Sequence, residues 1–316
     1  MSEIQPYPKV SIIILHLKNI HCLIDSILSL NKISYENFDI FIVHNGPKSK
    51  ILEENLASIS QRITEVINTG ENVGFAMGNN IGIKQALRKG GEYILLLNDD
   101  TVVSADFLDI LLDAGENKPD AGMLGSKIYY FDEPRRIWFA GAYVDSGTCM
   151  ITTPGSDQID EEESFEPIES DYITGCALLI KRQTIEQIGL LDERFFLYWE
   201  DVDWGLRAQK AGYKNLVIPG AHIWHKVSTS TGGMDSVLRV YHKTRSHLLM
   251  ARIHVPKMLI PLHIKFFRDI AWLLFKSHDT NRSKKARAYI AAIRDYHLGK
   301  TDKGPQWIWN DETNKG

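Results

Sequence analysis

Three stretches of continuous apolar, largely β-branched sequence mark the first hundred residues: VSIIILHL over 10–17, FDIFIVHNG over 38–46 and EYILLLNDD over 92–100. Runs without polar alternation predict strands buried on both faces, as in a parallel sheet covered by helices. Between them, residues 20–30, 50–60 and 76–89 are helix-like, so the order reads β-α-β-α. That alternation predicts an α/β fold, an open and mostly parallel central sheet flanked by helices. Each run ends in polar residues, and ligands of such sheets bind beyond the carboxyl ends of the strands. His44 and Asn45, then Asn98, Asp99 and Asp100, fall at those ends.

After about residue 115 the pattern loosens. RIWFAGAYVD (136–145) and DYITGCALLIKR (171–182) read as strands on either side of an acidic run, Asp157 to Asp171. EDVDWGLRAQKAG (200–212) reads as a helix with acids in its first turn, where the dipole favours them, and Gly212 at its stop. Beyond Tyr241, residues 260–276 and 283–299 form two basic, amphipathic helical patterns.

Composition narrows the class. The 316 residues are 44% hydrophobic and 24% charged, ordinary for a soluble globular chain. A net charge of −4 gives no global nucleic-acid signal, although the segment from Lys257 to Lys300 is rich in Lys and Arg. Cys22, Cys149 and Cys176 are odd in number and widely spaced. They argue against a disulfide framework or a zinc ribbon and for a reducing, cytoplasmic setting. The first residues lack the pattern of a signal peptide, and no window reaches the roughly 18 apolar residues of a membrane span.

Four constellations carry candidate chemistry, each with a plainer alternative. In LLLNDDT (95–101), adjacent carboxylates at a strand end suit a hard divalent cation or, equally, a turn. In TGENVGFAMGNNIG (69–82), glycines recur every four residues, which suits tight packing more often than a nucleotide loop. In PGAHIWHKVSTSTGG (219–233), a histidine could complete a metal site and the Ser/Thr/Gly run could line a diphosphate; an ordinary loop histidine is the alternative. Glu200, Asp201 and Asp203 follow the aromatics Phe195, Phe196, Tyr198 and Trp199. A carboxylate in a partly apolar cleft suits general-base work, whereas a helix cap needs no catalysis.

The order of these segments, with VSIIILHLKN, IVHNGP, ENVGFAMGNNIGI, LLLNDDT, DYITGCALLIKR, GLLDERFFLYWEDVDWGLRAQKAGY, HKVSTSTGG and YHKTRSHLLMARIH in sequence, resembles glycosyltransferase family 2. The resemblance covers residues 8–255 and is nearest the bacterial rhamnosyltransferase-like branch. It implies the GT-A nucleotide-diphospho-sugar transferase fold over 1–245, with a nucleotide-binding half to about 115, an acceptor-binding half over 116–245 and a C-terminal basic helical extension over 246–316. It further implies an inverting, metal-dependent transfer from a nucleotide-sugar to a glycan or lipid-linked acceptor in surface polysaccharide synthesis. The donor it suggests is dTDP-rhamnose; a UDP-hexose or UDP-N-acetylhexosamine donor is the alternative. A catalytically silent carbohydrate-binding or assembly subunit is the rival of another class.

Carried over residue by residue, Asn98-Asp99-Asp100 stands at the family's DxD motif, with Asp100 binding Mg²⁺ or Mn²⁺ and Asp99 near the ribose and diphosphate. His225 matches the histidine that completes the metal site. Asp201 matches the catalytic base, with Glu200 the alternative. Asn72, Gly74 and Asn80 match the loop packed on the nucleotide, while Trp199 and Asp171 fall on the acceptor side. One departure is His44-Asn45-Gly46-Pro47, where the family usually has Asp-Asn-Gly-Ser. A neutral His44 imidazole can still accept from a pyrimidine N3–H. The basic C-terminal helices suit either an anionic membrane surface or packing on the domain.

Overall fold

A computed structural model of the chain describes residues 8–56, 58–161, 166–227 and 236–309. The apolar runs become parallel strands β1 (Val10–His16) and β2 (Phe38–His44), joined by helix α1 (Ile20–Leu30). The chain continues through α2 (Lys50–Leu56), β3 (Ile63–Asn68), α3 (Phe75–Arg88) and β4 (Tyr93–Asn98). Pairing places these strands in the order β3-β2-β1-β4, all parallel. The chain therefore runs outward from β1 to β3 and returns on β1's other side. This puts a topological switch point, where such sheets hold ligands, between the carboxyl ends of β1 and β4.

Glycines set how closely α3 lies on this sheet. A Cβ at Gly78 would stand 2.5 Å from Leu15 Cδ1, and one at Gly82 would stand 2.5 Å from Ile13 Cγ2. Their four-residue spacing puts both on the helix face that meets the strands. The plainer reading of the glycine run, tight packing, accounts for these two.

The second half adds β5 (Thr101–Val103), α4 (Phe107–Asn117), β6 (Ala121–Tyr130), β7 (Ile137–Phe139), β8 (Tyr143–Val144) and β9 (Ile151–Thr152). It continues with β10 (Ile168–Ser170), β11 (Ala177–Lys181), α5 (Arg182–Ile188), α6 (Glu200–Lys210) and β12 (Lys214–His225). β11 inserts antiparallel between β4 and β6, and β12 lies parallel to β6 beyond it. The sheet is thus mixed, with its parallel blocks on either side of β11. Two expected strands are shorter than the sequence pattern suggests. RIWFAGAYVD is split between β7 and β8 around Gly141, whose φ is 112°. DYITGCALLIKR is a strand only from Ala177, and its first half is an irregular connection.

Among the described residues, three α-helices follow, α7 (Val237–His254), α8 (Leu259–Phe275) and α9 (Arg282–His297). The boundary expected at 245/246 falls inside α7, which serves both parts. Its Ser246 Oγ donates to Leu197 O at 3.0 Å, and its Tyr241 hydroxyl donates to Asp295 of α9 at 2.8 Å. Among the described residues no helix is long and apolar enough to cross a membrane.

Candidate active site

The end of β4 is a tight turn. The Asn98 N–H donates to Cys176 O (2.9 Å), and Thr101 Oγ1 donates back to Asn98 O (2.8 Å). Asp99 and Asp100 are presented between these two ties. Asp99 Oδ2 lies 2.7 Å from His16 Nδ1, so a side-chain bond spans the switch point between β4 and β1. Burial pushes the Asp99 carboxyl upward, the His16 bond opposes this, and the Asp100 charge adds to the rise. His16 escaped the sequence reading. The signal for it was present, since it ends its apolar run as His44 ends the next, and the two are register partners.

Asp100 and His225 are both buried, with Asp100 Oδ1 3.0 Å from His225 Nε2. Burial alone would depress the His225 pKa, but Cys176 and Asp100 outweigh it and raise it to about 10. His225 comes from the end of β12, a 12-residue strand that runs through Pro219 and Gly220, and not from a loop as in the plainer alternative. A register shift between Ile218 and His222 absorbs that pair as a bulge and lets the strand continue. Among the described residues no group of three or more His, Cys, Asp or Glu could hold a metal ion. Asp100 and, once its Nε2 gives up the proton now facing that carboxylate, His225 would fit a Mg²⁺ or Mn²⁺ ion that takes its other ligands from diphosphate oxygens and water, and do not fit a closed protein cage. The Ser/Thr/Gly run expected beside the diphosphate lies outside the described residues.

On the other side of β1, residues at the end of β2 close against the loop before α3. Asn45 Nδ2 donates to Asn72 Oδ1 (3.2 Å) and Gly74 O (3.1 Å), and Asn45 Oδ1 accepts from Val73 N–H (2.9 Å). Asn72 Oδ1 also accepts from Gly74 N–H at 3.0 Å. Asn45, Asn72 and Gly74 are thus one network that shapes this loop. His44 Nε2 lies 2.9 Å from Pro47 O, a carbonyl that can only accept, so the ring proton sits on Nε2. Burial lowers the His44 pKa and keeps the ring neutral, leaving a lone pair on Nδ1. Asn80, expected at the nucleotide, is elsewhere. It is buried, and its amide bonds the backbone N–H and C=O of Leu191 (3.2 and 2.9 Å) and the Glu193 carboxylate (3.1 Å). Its role is to tie α3 to the segment leading into α6.

That segment, Phe195-Phe196-Leu197-Tyr198-Trp199, is a strained strap. Tyr198 and Trp199 have φ of 68° and 75°, a left-handed conformation that costs about 1–3 kcal/mol per residue for such side chains. The strap is held from both sides. Phe75 N–H donates to Phe196 O at 2.7 Å, an approach open only because Gly74 lacks a Cβ, which would lie 2.5 Å from that oxygen. Across from it, His247 of α7 stacks on Trp199 with ring centroids 4.2 Å apart. Phe195 and Phe196 are buried core, while Trp199 is half-buried, with one ring face given to His247. Asp171, also expected on the acceptor side, is a brace instead. Its Oδ2 accepts from Val144 N–H (2.6 Å) and its Oδ1 from Gln209 Nε2 (3.0 Å), near the far end of α6 from Asp201.

The strap delivers three acids into the first turn of α6, and their surroundings separate them. Asp203 is structural, paired with Arg207 (2.8 Å) and His254 (2.8 Å). Glu200 is buried and its Oε2 has no hydrogen-bond partner among the described residues. Burial, reinforced by the Asp201 charge, raises the Glu200 carboxyl well above its ordinary range and so favours its protonated form. Asp201 accepts from Gly175 N–H (Oδ2, 3.1 Å) and Val202 N–H (Oδ1, 2.9 Å). Burial raises its pKa, while those two N–H groups and the Lys243 ammonium pull it down. Of the adjacent pair, Asp201 is the one equipped to carry the charge. Glu200→Gln should accordingly keep the fold and gain stability as pH rises. With a folded pKa above the unfolded one, Glu200 costs nothing below the unfolded value and progressively more as pH climbs toward the folded value. Thermal melts of the two proteins should coincide near pH 4 and differ by roughly 2 °C at pH 8, with the variant higher.

What joins the two sides is the turn Thr174-Gly175-Cys176, which the sequence reading took as strand. Its Gly175 N–H holds Asp201, its Cys176 carbonyl holds Asn98, and the Cys176 side chain lies beside His225. A Cβ on Gly175 would lie 2.9 Å from the Phe75 ring. One three-residue turn therefore fixes the acid at the start of α6 relative to the acids at the end of β4.

The sequence pattern of glycosyl transferase family 2 matches residues 11–189. The chain is 28% identical over 242 residues to the N-acetylglucosaminyl-diphospho-decaprenol L-rhamnosyltransferase of Mycobacterium tuberculosis, covering 71% of this chain and 77% of that protein. It is 26% identical over 300 residues to the dTDP-rhamnosyl transferase RfbF of Shigella flexneri, covering 91% and 94%. Among solved structures, GalNAc-T7 with UDP, GalNAc and Mn²⁺ superposes with a TM-score of 0.63 at 14% identity, over 98% of this chain and 57% of that one. The mannosyltransferase PcManGT from Pyrobaculum calidifontis, in complex with GDP-Man and Mn²⁺, gives 0.56 at 13% identity, over 98% and 80%. At such identities these structures establish the fold, which is GT-A. The chain belongs to glycosyl transferase family 2, and within it resembles the bacterial rhamnosyltransferase-like branch.

Proposed function

We propose that the protein is an inverting rhamnosyltransferase. It moves L-rhamnose from dTDP-rhamnose to a hydroxyl of a glycan or lipid-linked glycan, in the cytoplasm, during surface polysaccharide synthesis. The donor sugar follows the named activities of the two relatives above, and a lipid-linked acceptor follows the decaprenol-linked substrate in the first of those names. The observation that carries the reading is the turn at Gly175-Cys176, which ties a candidate base, Asp201, to the acidic end of β4.

In this mechanism the ribose and diphosphate lie over the carboxyl ends of β1 and β4, with Asp99 oriented by His16. His44, whose Nδ1 is buried, would back the pyrimidine side through its bond to Pro47, and the Asn45–Asn72–Gly74 network shapes the loop beneath the nucleotide. Asp100 and His225 would hold Mg²⁺ or Mn²⁺, which when bound offsets the charge growing on the departing diphosphate. Asp201 takes the proton of the acceptor hydroxyl as that oxygen attacks the anomeric carbon from the face opposite the leaving group, and inversion results. Glu200, whose raised pKa favours the neutral form, does not compete for that proton; its carboxyl can donate one hydrogen bond and still accept others.

The test is release of nucleoside diphosphate from dTDP-, UDP- and GDP-sugars with Mg²⁺ or Mn²⁺. Release from dTDP-rhamnose that EDTA suppresses is the expected result. Release from a UDP-hexose instead would reassign the donor, and donor binding without release from any sugar would make the protein a silent binding subunit.

A further inference from the structure

Helix α8 carries two apolar faces, and among the described residues only one of them is covered. Leu262, Phe266, Ile270 and Leu273 are buried against the rest of the protein. Turned away from them, Ile260, Ile264, Phe267 and Phe275 are 73%, 56%, 59% and 83% exposed. With Ala271 they recur at three- and four-residue steps and span an arc of about 80°. The neighbouring arc is basic, with Lys265, Arg268 and Lys276 all exposed, and with Trp272 among them at the border. The charge continues beyond the helix. Residues 256–309 hold eleven Lys and Arg against four Asp and Glu, in a chain whose net charge is −4.

We propose that this outer face of α8 is a docking surface for an anionic phospholipid bilayer. An apolar arc flanked by cations, with aromatics at its edge, matches the boundary between acyl chains and phosphate headgroups. The helix has 17 residues and is therefore about 25 Å long, short of the roughly 30 Å hydrocarbon core, so it lies in the interface rather than across it. A second copy of the chain fits poorly. A two-fold contact brings the same patch of each subunit together, which here would oppose one basic arc to another. A nucleic acid would pair with the cations and leave the apolar arc in water.

Sedimentation of the full-length protein with vesicles tests the surface directly, using phosphatidylcholine alone and phosphatidylcholine mixed with phosphatidylglycerol. No donor or acceptor is needed, so failure here is distinct from failure of the transferase reading. The wild type should bind the mixed vesicles and bind the neutral ones weakly. Phe267→Asp with Phe275→Asp should lower binding by about tenfold or more for each ring removed. Lys265→Gln with Arg268→Gln should lower it about fivefold per charge on mixed vesicles and hardly on neutral ones. All four positions are exposed, so melting temperatures should match the wild type in both variants. Aspartate variants that sediment with mixed vesicles as the wild type does would overturn the proposal. So would a vesicle-free dimer that dissociates in those variants, which would assign the face to a second copy.

Discussion

Asp201→Asn should lower kcat for sugar transfer by about a thousandfold while leaving the KM for the donor and the melting temperature nearly unchanged. The amide keeps the size of the carboxylate and can still accept one of the two N–H bonds, from Gly175 or Val202, that hold the side chain now. It cannot take a proton. The loss should therefore fall on the chemical step and spare binding, because the hydrogen bonds that shape the donor side, those of Asp99 and of the Asn45–Asn72–Gly74 network, do not include the Asp201 side chain. The pH profile is a second readout. Burial raises the Asp201 pKa, so the acidic limb of the wild-type rate should lie above the ordinary carboxylate value, with activity lost as pH falls and Asp201 protonates. That limb should vanish in the residual activity of the variant. Glu200→Gln, one residue earlier, should keep most of the activity, because its carboxyl already favours the protonated form in the wild type. A kcat for Asp201→Asn within tenfold of wild type, or a larger loss in Glu200→Gln, would move the base away from Asp201.

The parts of this site that the sequence made legible are those whose function coincides with a local pattern. Asn98-Asp99-Asp100 ends a continuous apolar run, so periodicity alone placed it at the carboxyl edge of the sheet. The acids of α6 follow aromatics and open a helical pattern, which located the turn though not the division of labour within it. That division depends on burial and on partners distant in sequence. Asp203 is paired by His254 from 51 residues away, and Asp201 by Gly175 from 26 residues before it. Asn80 and Asp171 show the opposite error. Each sits in a segment that resembles the family, yet each side chain is engaged in bracing one element against another. An ordinary loop histidine is the plainer alternative for His225, and only pairing with β6 on both sides of the bulge reveals that it ends a strand. The boundary that the resemblance implies at 245/246 falls within α7, whose Ser246 and His247 hold the strained strap before α6, contacts between segments that sequence pattern does not display.

Asp100→Ala should abolish EDTA-sensitive nucleotide release, with a loss of about 10²–10³-fold or more, and should do so without unfolding the protein. The carboxylate is buried and stands 3.0 Å from His225, so its removal strips the site of one of two converging donors and of a negative charge. Some structural cost is expected too, because His225 is then buried without that partner, and such a loss is worth about 1–3 kcal/mol. Asp100→Asn separates the two effects. The amide oxygen still reaches His225, so stability should be close to wild type, yet its weaker ligation should leave activity low and partly restored by raising Mn²⁺. Binding supplies a readout independent of turnover. For the wild type, dTDP with Mn²⁺ should raise the melting temperature more than dTDP alone, and in Asp100→Ala the cation should add nothing. Thermal shifts that do not depend on the cation in the wild type, together with full turnover in Asp100→Ala, would reduce the Asp100–His225 pair to a brace between β12 and the end of β4. Full turnover in Asp100→Ala with the cation-dependent shift retained would instead keep the metal and place its ligands elsewhere, with Asp99 the nearest remaining carboxylate in the turn.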